Sequence, residues 1–145
     1  MLVKLLVGGC LMAACVAIHV AGLTAALRWF RRDPASFWGW TRLFTAIAGW
    51  SILLHLVEIC AWAIYYRLAG AIPELALAAY FSAVTYTTTG YGDVVLPEEW
   101  RLVGAVEALT GILMCGWSTG FFFAVVSRMP HPTELDGDDR KQTSL

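Results

Sequence analysis

The sequence predicts an all-α membrane protein in which three helices cross the bilayer and a fourth, shorter one enters it and turns back. Three observations carry that prediction. Of the 145 residues, 59% are hydrophobic and 14% charged, with a mean hydropathy of +0.64, a membrane composition at the size of one domain. Three apolar runs each exceed the roughly 20 residues a helix needs to cross a bilayer. A further apolar stretch, between the second and third runs, is too short to cross and leads into a loop that holds Gly90 and Gly92. The same composition excludes other classes. A net charge of -1, with basic residues gathered at span ends, offers no surface for nucleic acid. Cys10, Cys15, Cys60 and Cys115 lie inside apolar runs, so neither a Cys-x-x-Cys metal motif nor a secreted disulfide framework is present.

Leu2 to Leu27 is the first span, about 26 residues in which only Lys4, His19 and Thr24 are polar. A cleaved signal peptide is the alternative, and Leu11-Met12-Ala13-Ala14-Cys15 has a faint lipoprotein character. The apolar run continues past Cys15, however, and Arg28, Arg31 and Arg32 follow it directly, the order of a retained helix whose C-terminal end is cytoplasmic. Arg28 to Arg42 contains Asp33-Pro34 and several aromatic residues and is expected to be a short interfacial turn. Leu43 to Tyr66 is the second span, running outward to an aromatic belt of Trp62, Tyr65 and Tyr66, and Gly70 to Pro73 break it.

Glu74 to Thr88 reads as a helix of about 15 residues, which at 1.5 Å per residue is about 22 Å and too short to cross. Pro73 and Glu74 suit its first turn. A re-entrant helix follows, with the glycine-bearing loop climbing back to the same side. Pro97, Glu98 and Glu99 start the next helix, and Arg101 to Val126 is the third span, ending at a cytoplasmic Arg128. The tail from Met129 carries two prolines and Asp136-Gly137-Asp138-Asp139, a solvated, disordered composition. A partner-binding tail is the alternative. The expected organisation is an N-terminal helix and basic turn over 1–40, a central unit over 41–128 and the tail over 129–145.

The chemistry concentrates in Thr85-Tyr86-Thr87-Thr88-Thr89-Gly90-Tyr91-Gly92-Asp93. Gly90 and Gly92 can take positive φ without steric cost, so successive carbonyls can point the same way instead of alternating. Such a row is an oxygen ladder for a dehydrated cation, tolerable at membrane depth only where protein surrounds it and water or ions fill it. The motif Thr85-x-x-Thr88-x-Gly90-Tyr91-Gly92-Asp93 resembles the selectivity filter of tetrameric potassium channels, and Ala78 to Asp93 has the length and order of that family's pore helix plus filter. The likeness runs from Leu43 to Arg128; it is to the bacterial two-transmembrane type, here with one extra N-terminal helix.

The resemblance implies a homotetramer in the cell membrane, a bacterial inner membrane, and the basic residues at the span ends put the N-terminus outside and the C-terminus in the cytoplasm. It implies that the backbone carbonyls of Thr88, Thr89, Gly90 and Tyr91, with the Thr88 hydroxyl, replace the hydration shell of K+, each chain supplying one strand of the filter up to Gly92. K+ is then the permeant ion, and no cofactor is expected. Thr85 belongs to the filter's support, and Tyr91 is expected to pack outward against Tyr80 and Phe81. Two departures stand out. Thr89 replaces the family's usual valine and brings a hydroxyl without an evident partner. Val84 stands where a bacterial member has a carboxylate that pairs with the filter aspartate, which leaves Tyr80 as the donor expected for Asp93. On the third span, Gly111 sits near the family's hinge, with close packing as the alternative. Ile112, Cys115, Thr119 and Phe123 recur at helical spacing on the face that would line the cavity, and Phe123 suits a hydrophobic constriction.

His55 and Glu58 share one face of the second span. Glu58 and Glu107 both count to about 12 Å below the outer ends of their helices. The expectation is one cluster of His55, Glu58 and Glu107, since intramembrane charges are normally paired. A shared proton or a divalent metal are the readings such a cluster invites. His19 counts to a lower level and is expected to stand apart. No span repeats arginine at every third position, so no voltage sensor is expected. A transporter subunit, a less selective cation channel and a membrane adaptor are the competing classes. No nucleophile and base pair suggests an enzyme.

Overall fold

The computed structural model describes residues 2–30, 34 and 36–129; Arg31, Arg32, Asp33 and the tail from 130 lie outside them. Four α-helices follow in order: α1 (Leu2–Trp29), α2 (Phe37–Leu68), α3 (Leu75–Tyr86) and α4 (Arg101–Val126), the last entered through a 3-10 turn at Glu98–Trp100. All regular structure among the described residues is helical, and three of the helices are long and apolar enough to cross a membrane. That is the predicted fold class.

α1 and α2 each run two residues beyond their expected ends, and two further boundaries differ for local reasons. α2 begins at Phe37, so residues 37–42 are helical and not part of an interfacial turn. Ser36 decides this locally: its hydroxyl accepts the Gly39 amide at 3.2 Å, an N-cap that starts the helix one turn inside the aromatic stretch. Pro34 lies against Gly39 so closely that a Cβ there would stand 2.6 Å from the Pro34 Cβ. α3 ends at Tyr86 and not at Thr88, because Thr88 adopts a left-handed φ of 58° that no α-helix contains. At the other end of α2, Gly70 takes φ 75° and the Ala71 amide reaches back to the Tyr66 carbonyl at 3.0 Å, the glycine-based stop that its sequence position implies.

α3 packs between α2 and α4, and α1 packs along both long helices of its own chain. The contact with α1 is close: Gly22 faces Leu54 with no room for a Cβ, and the Trp50 indole donates to the Gly22 carbonyl at 2.9 Å. Lys4 lies 3.9 Å from Glu99 and 4.0 Å over the Trp100 ring, so the start of α1 and the start of α4 share one end of the bundle. The larger core cluster sits toward that end, around Trp62, Tyr66, Phe81, Tyr86 and Trp100. A smaller one at the opposite end gathers Trp40, Leu43, Ile47 and Val125. α3 is thereby held at partial depth, with its last residue against Gly111 in the middle of α4.

Candidate functional site

The loop that leaves α3 alternates in hand. Thr88, Gly90 and Gly92 have φ of 58°, 57° and 79°, while Thr89 and Tyr91 between them are not left-handed. Alternating hand turns successive peptide groups of the same kind to one side of the chain, the arrangement that concentrates like dipoles on an ion. A left-handed threonine costs roughly 1 kcal/mol or more. Hydrogen bonds back to α3 hold it: the Thr88 amide donates to the Thr85 carbonyl at 2.9 Å, and the amides of Thr89 and Gly90 to the Val84 carbonyl at 2.9 and 3.3 Å. Thr85 thus supports the loop through its carbonyl. The Thr89 hydroxyl, for which sequence supplied no partner, stands 2.9 Å from the Thr87 hydroxyl, itself bonded to the Ala83 carbonyl at 2.7 Å.

At the loop's far end the Tyr80 hydroxyl donates to Asp93 Oδ2 at 2.6 Å and the Val94 amide to Oδ1 at 3.1 Å. The Tyr80 hydrogen bond, with the backbone donors, holds the Asp93 carboxyl below its ordinary value. A lowered pKa means that the ionised, hydrogen-bonded form stabilises the loop at neutral pH and that this contribution disappears only as pH falls below the usual carboxylate range. Tyr80→Phe is therefore expected to move the acid midpoint of any Asp93-dependent activity to higher pH. A pH titration of flux in which wild type and Tyr80→Phe share one midpoint would contradict it.

Tyr91 departs from expectation. It is 72% exposed and has no ring contact with Tyr80 or Phe81; Phe81 packs instead edge-on against Tyr66, with centroids 5.4 Å apart. The reason is geometric: every residue from Thr87 to Asp93 is exposed in the single chain, so the loop stands off the helices that carry it. Ile112, Cys115, Thr119 and Phe123 form an exposed row on α4. Gly111 is different. A Cβ there would stand 1.8 Å from the Tyr86 carbonyl oxygen, so this glycine allows close packing of α3 on α4, within an uninterrupted helix. Gly116 and Gly120 face open space within the chain.

The expected cluster of His55, Glu58 and Glu107 does not form. Glu58 is joined instead by His19, whose Nδ1 lies 3.0 Å from Glu58 Oε1, and by the Tyr86 hydroxyl, which donates to Oε2. His55 completes the group, with Nδ1 3.2 Å from the Tyr86 oxygen and 3.7 Å from Glu58 Oε2. Both histidine Nε2 atoms reach the Ser118 hydroxyl, at 3.1 and 3.2 Å. Glu107 has a separate site, accepting from Tyr66 at 2.8 Å and from Ser82. Side-chain direction explains both outcomes. Cα–Cβ bonds tilt toward a helix's N-terminus, and α1 and α4 run opposite to α2. His19 and Glu58 at different backbone levels therefore lean toward each other, whereas Glu58 and Glu107 at one level lean apart. The sequence reading missed Tyr66, Ser82, Tyr86 and Ser118; burying hydroxyl groups beside carboxylates was the available signal.

Three spanning helices around a partial-depth helix and an exposed loop of alternating hand define a membrane protein of the re-entrant-loop class. A family model described as ion channel matches residues 52–128, more than half of the chain, and the chain belongs to that family. The match takes in the C-terminal half of α2 and all of α3 and α4, and leaves out α1. No curated protein and no solved structure matches the chain significantly.

Proposed function

We propose that the chain is one subunit of a homotetrameric, potassium-selective channel that conducts passively across the cell membrane. One observation carries the reading: an exposed loop of alternating hand, Thr88 to Gly92, begins at the mid-depth of α4. Exposed irregular backbone at that depth is incompatible with lipid, since each unsatisfied polar group there costs several kcal/mol. It requires more protein and water around it, and one loop does not encircle an ion. Four copies supply both. The carbonyls of Thr88, Thr89, Gly90 and Tyr91 then replace the water around K+, Tyr91 finds its bracing on a neighbouring copy, and α3 aims its negative C-terminal end at the cavity. The row from Ile112 to Phe123 lines that cavity, with Phe123 as its constriction. The N-terminus lies outside, and residues 41–128 form the pore unit.

The test is flux from liposomes holding the purified protein, K+ against Na+. Selective K+ flux is the expected result; equal permeation would remove the potassium reading in favour of a less selective cation channel or a transporter pore subunit. Thr89→Val in the same assay is expected to keep the K+/Na+ ratio within about two-fold, because Thr87 retains its bond to Ala83 and a neutral hydroxyl pair contributes only about 1 kcal/mol. A collapse of selectivity would show the hydroxyl to be part of the filter itself.

A further inference from the structure

We propose that His19, His55, Glu58 and Tyr86 form a site for one divalent transition-metal ion of the zinc or cobalt kind in the middle of each chain. The donor atoms offered by His19, His55 and Glu58 all lie within 4.8 Å of one another. His19 Nδ1 is 3.0 Å from Glu58 Oε1, and His55 Nδ1 is 3.7 Å from Oε2 and 3.2 Å from the Tyr86 oxygen. With metal bonds of about 2.0 to 2.2 Å, the ligands of a tetrahedral ion stand roughly 3.4 Å apart. The contacts of His19 with Glu58 Oε1 and of His55 with Oε2 are near that spacing, and the remaining donors would adjust as the ion enters. Three helices supply the four ligands, so the ion would tie α1 to α2 and to the end of α3.

Ser118 supplies an independent indication. A metal-bound imidazole characteristically donates its other ring N–H to a fixed oxygen, which sets the tautomer. Here both Nε2 atoms converge on one oxygen, Ser118 Oγ, at 3.1 and 3.2 Å. A hydroxyl oxygen has two lone pairs, so with an ion on both Nδ1 atoms it would accept from both rings. Both rings are then fixed with Nδ1 turned toward Glu58 and Tyr86.

Hydrogen counting shows why the site suits an ion. Without one, the contacts are His19 to Glu58, Tyr86 to Glu58, His55 to Tyr86 and each histidine to Ser118. Each contact needs a hydrogen, whereas two neutral imidazoles, one phenol and one serine hydroxyl supply one fewer than the contacts require. The network closes only by holding an extra proton. A divalent ion bound by the Glu58 carboxylate and the Tyr86 phenolate replaces that proton and the phenolic one. Two protons leave, and the site is electrically neutral before and after, as membrane burial demands. Imidazole-rich donors favour zinc-like ions over magnesium or calcium. Entry is available through His55, whose side chain is 18% exposed and lines a groove of about 290 Å³ with Ser51, Cys115 and Thr119.

The experiment is a Co²⁺ titration of the purified full-length protein, read by the visible absorption that tetrahedral cobalt gives. A band saturating at one ion per chain, displaced by Zn²⁺ and not by Mg²⁺, is expected. Ser118→Ala is expected to weaken binding by about 10- to 100-fold. His55→Gln and Glu58→Gln are expected to remove the band, and Glu107→Gln, at the other buried carboxylate, to leave it intact. Absence of a saturable band in the wild type overturns the proposal without any variant having to fold, and so does a band that survives in the His55→Gln/Glu58→Gln double variant. The titration reads the site alone, so its outcome is separate from that of the flux assay.

Discussion

Gly111→Ala is expected to abolish ion flux and to lower the melting temperature of the purified protein. The added Cβ would stand 1.8 Å from the carbonyl oxygen of Tyr86, 2.7 Å from its carbonyl carbon and 3.2 Å from its Cα. All three are backbone atoms, so no side chain can swing away. Either α3 or α4 has to move by more than an ångström, and insertion of a methyl into a well-packed contact costs about 1 to 3 kcal/mol. Flux suffers more than stability because the atoms displaced are those that launch the loop: the next residues are Thr87 and the left-handed Thr88. The measurement separates packing from bending. A glycine used as a hinge would, on replacement by alanine, change open probability while leaving the melting temperature and K+/Na+ ratio intact. That pattern would refute the packing role.

Glu58→Ala is expected to destabilise the metal-free protein, in chelator, by about 3 kcal/mol, the low end for removing one partner of a buried charged group. A single interhelical hydrogen bond within a bilayer averages only about 0.6 kcal/mol. The larger figure applies because one truncation takes a partner from groups on two other helices, leaving the His19 ring on α1 with Ser118 and the Tyr86 hydroxyl on α3 with His55, both fully buried. Glu58→Gln keeps an oxygen that accepts from Tyr86 and is expected to lose less than half as much. Thermal unfolding in detergent decides: equal losses in the two variants would mean that the charge and second oxygen of the carboxylate, which both variants lack, and not the one acceptor oxygen that Gln keeps, are what Glu58 contributes.

The number of crossings, the partial-depth helix and the loop were legible because each is written locally. A span is a run of apolar residues longer than a bilayer is thick, and α3 is a run that is not. Gly90 and Gly92 announced positive φ, and both adopt it. Thr88 did not announce its own, since a threonine carries no such signal and takes the left-handed form only because the Thr85 and Val84 carbonyls draw the chain back onto α3. The Tyr80–Asp93 pair was legible through the family resemblance, which implies a pairing carboxylate where this chain has Val84 and so left Tyr80 as the expected donor. The start of α2 was misplaced because residues 37–42, read as aromatic anchors, also suit a capped first turn.

By itself, then, the sequence determined which helices are long enough to cross, which is not, and which loop carries the positive-φ glycines, because chain length and hydropathy act along the chain. Which polar groups meet was decided only in three dimensions. Two residues that count to equal depth along the sequence, Glu58 and Glu107, ended in separate networks, and one that counts to a different depth, His19, became the partner of Glu58. The physical reason is that antiparallel helices tilt their side chains in opposite directions. Depth counted along backbones therefore misjudges contact by about the length of two side chains, and the packing of α1 on α2 settles the difference.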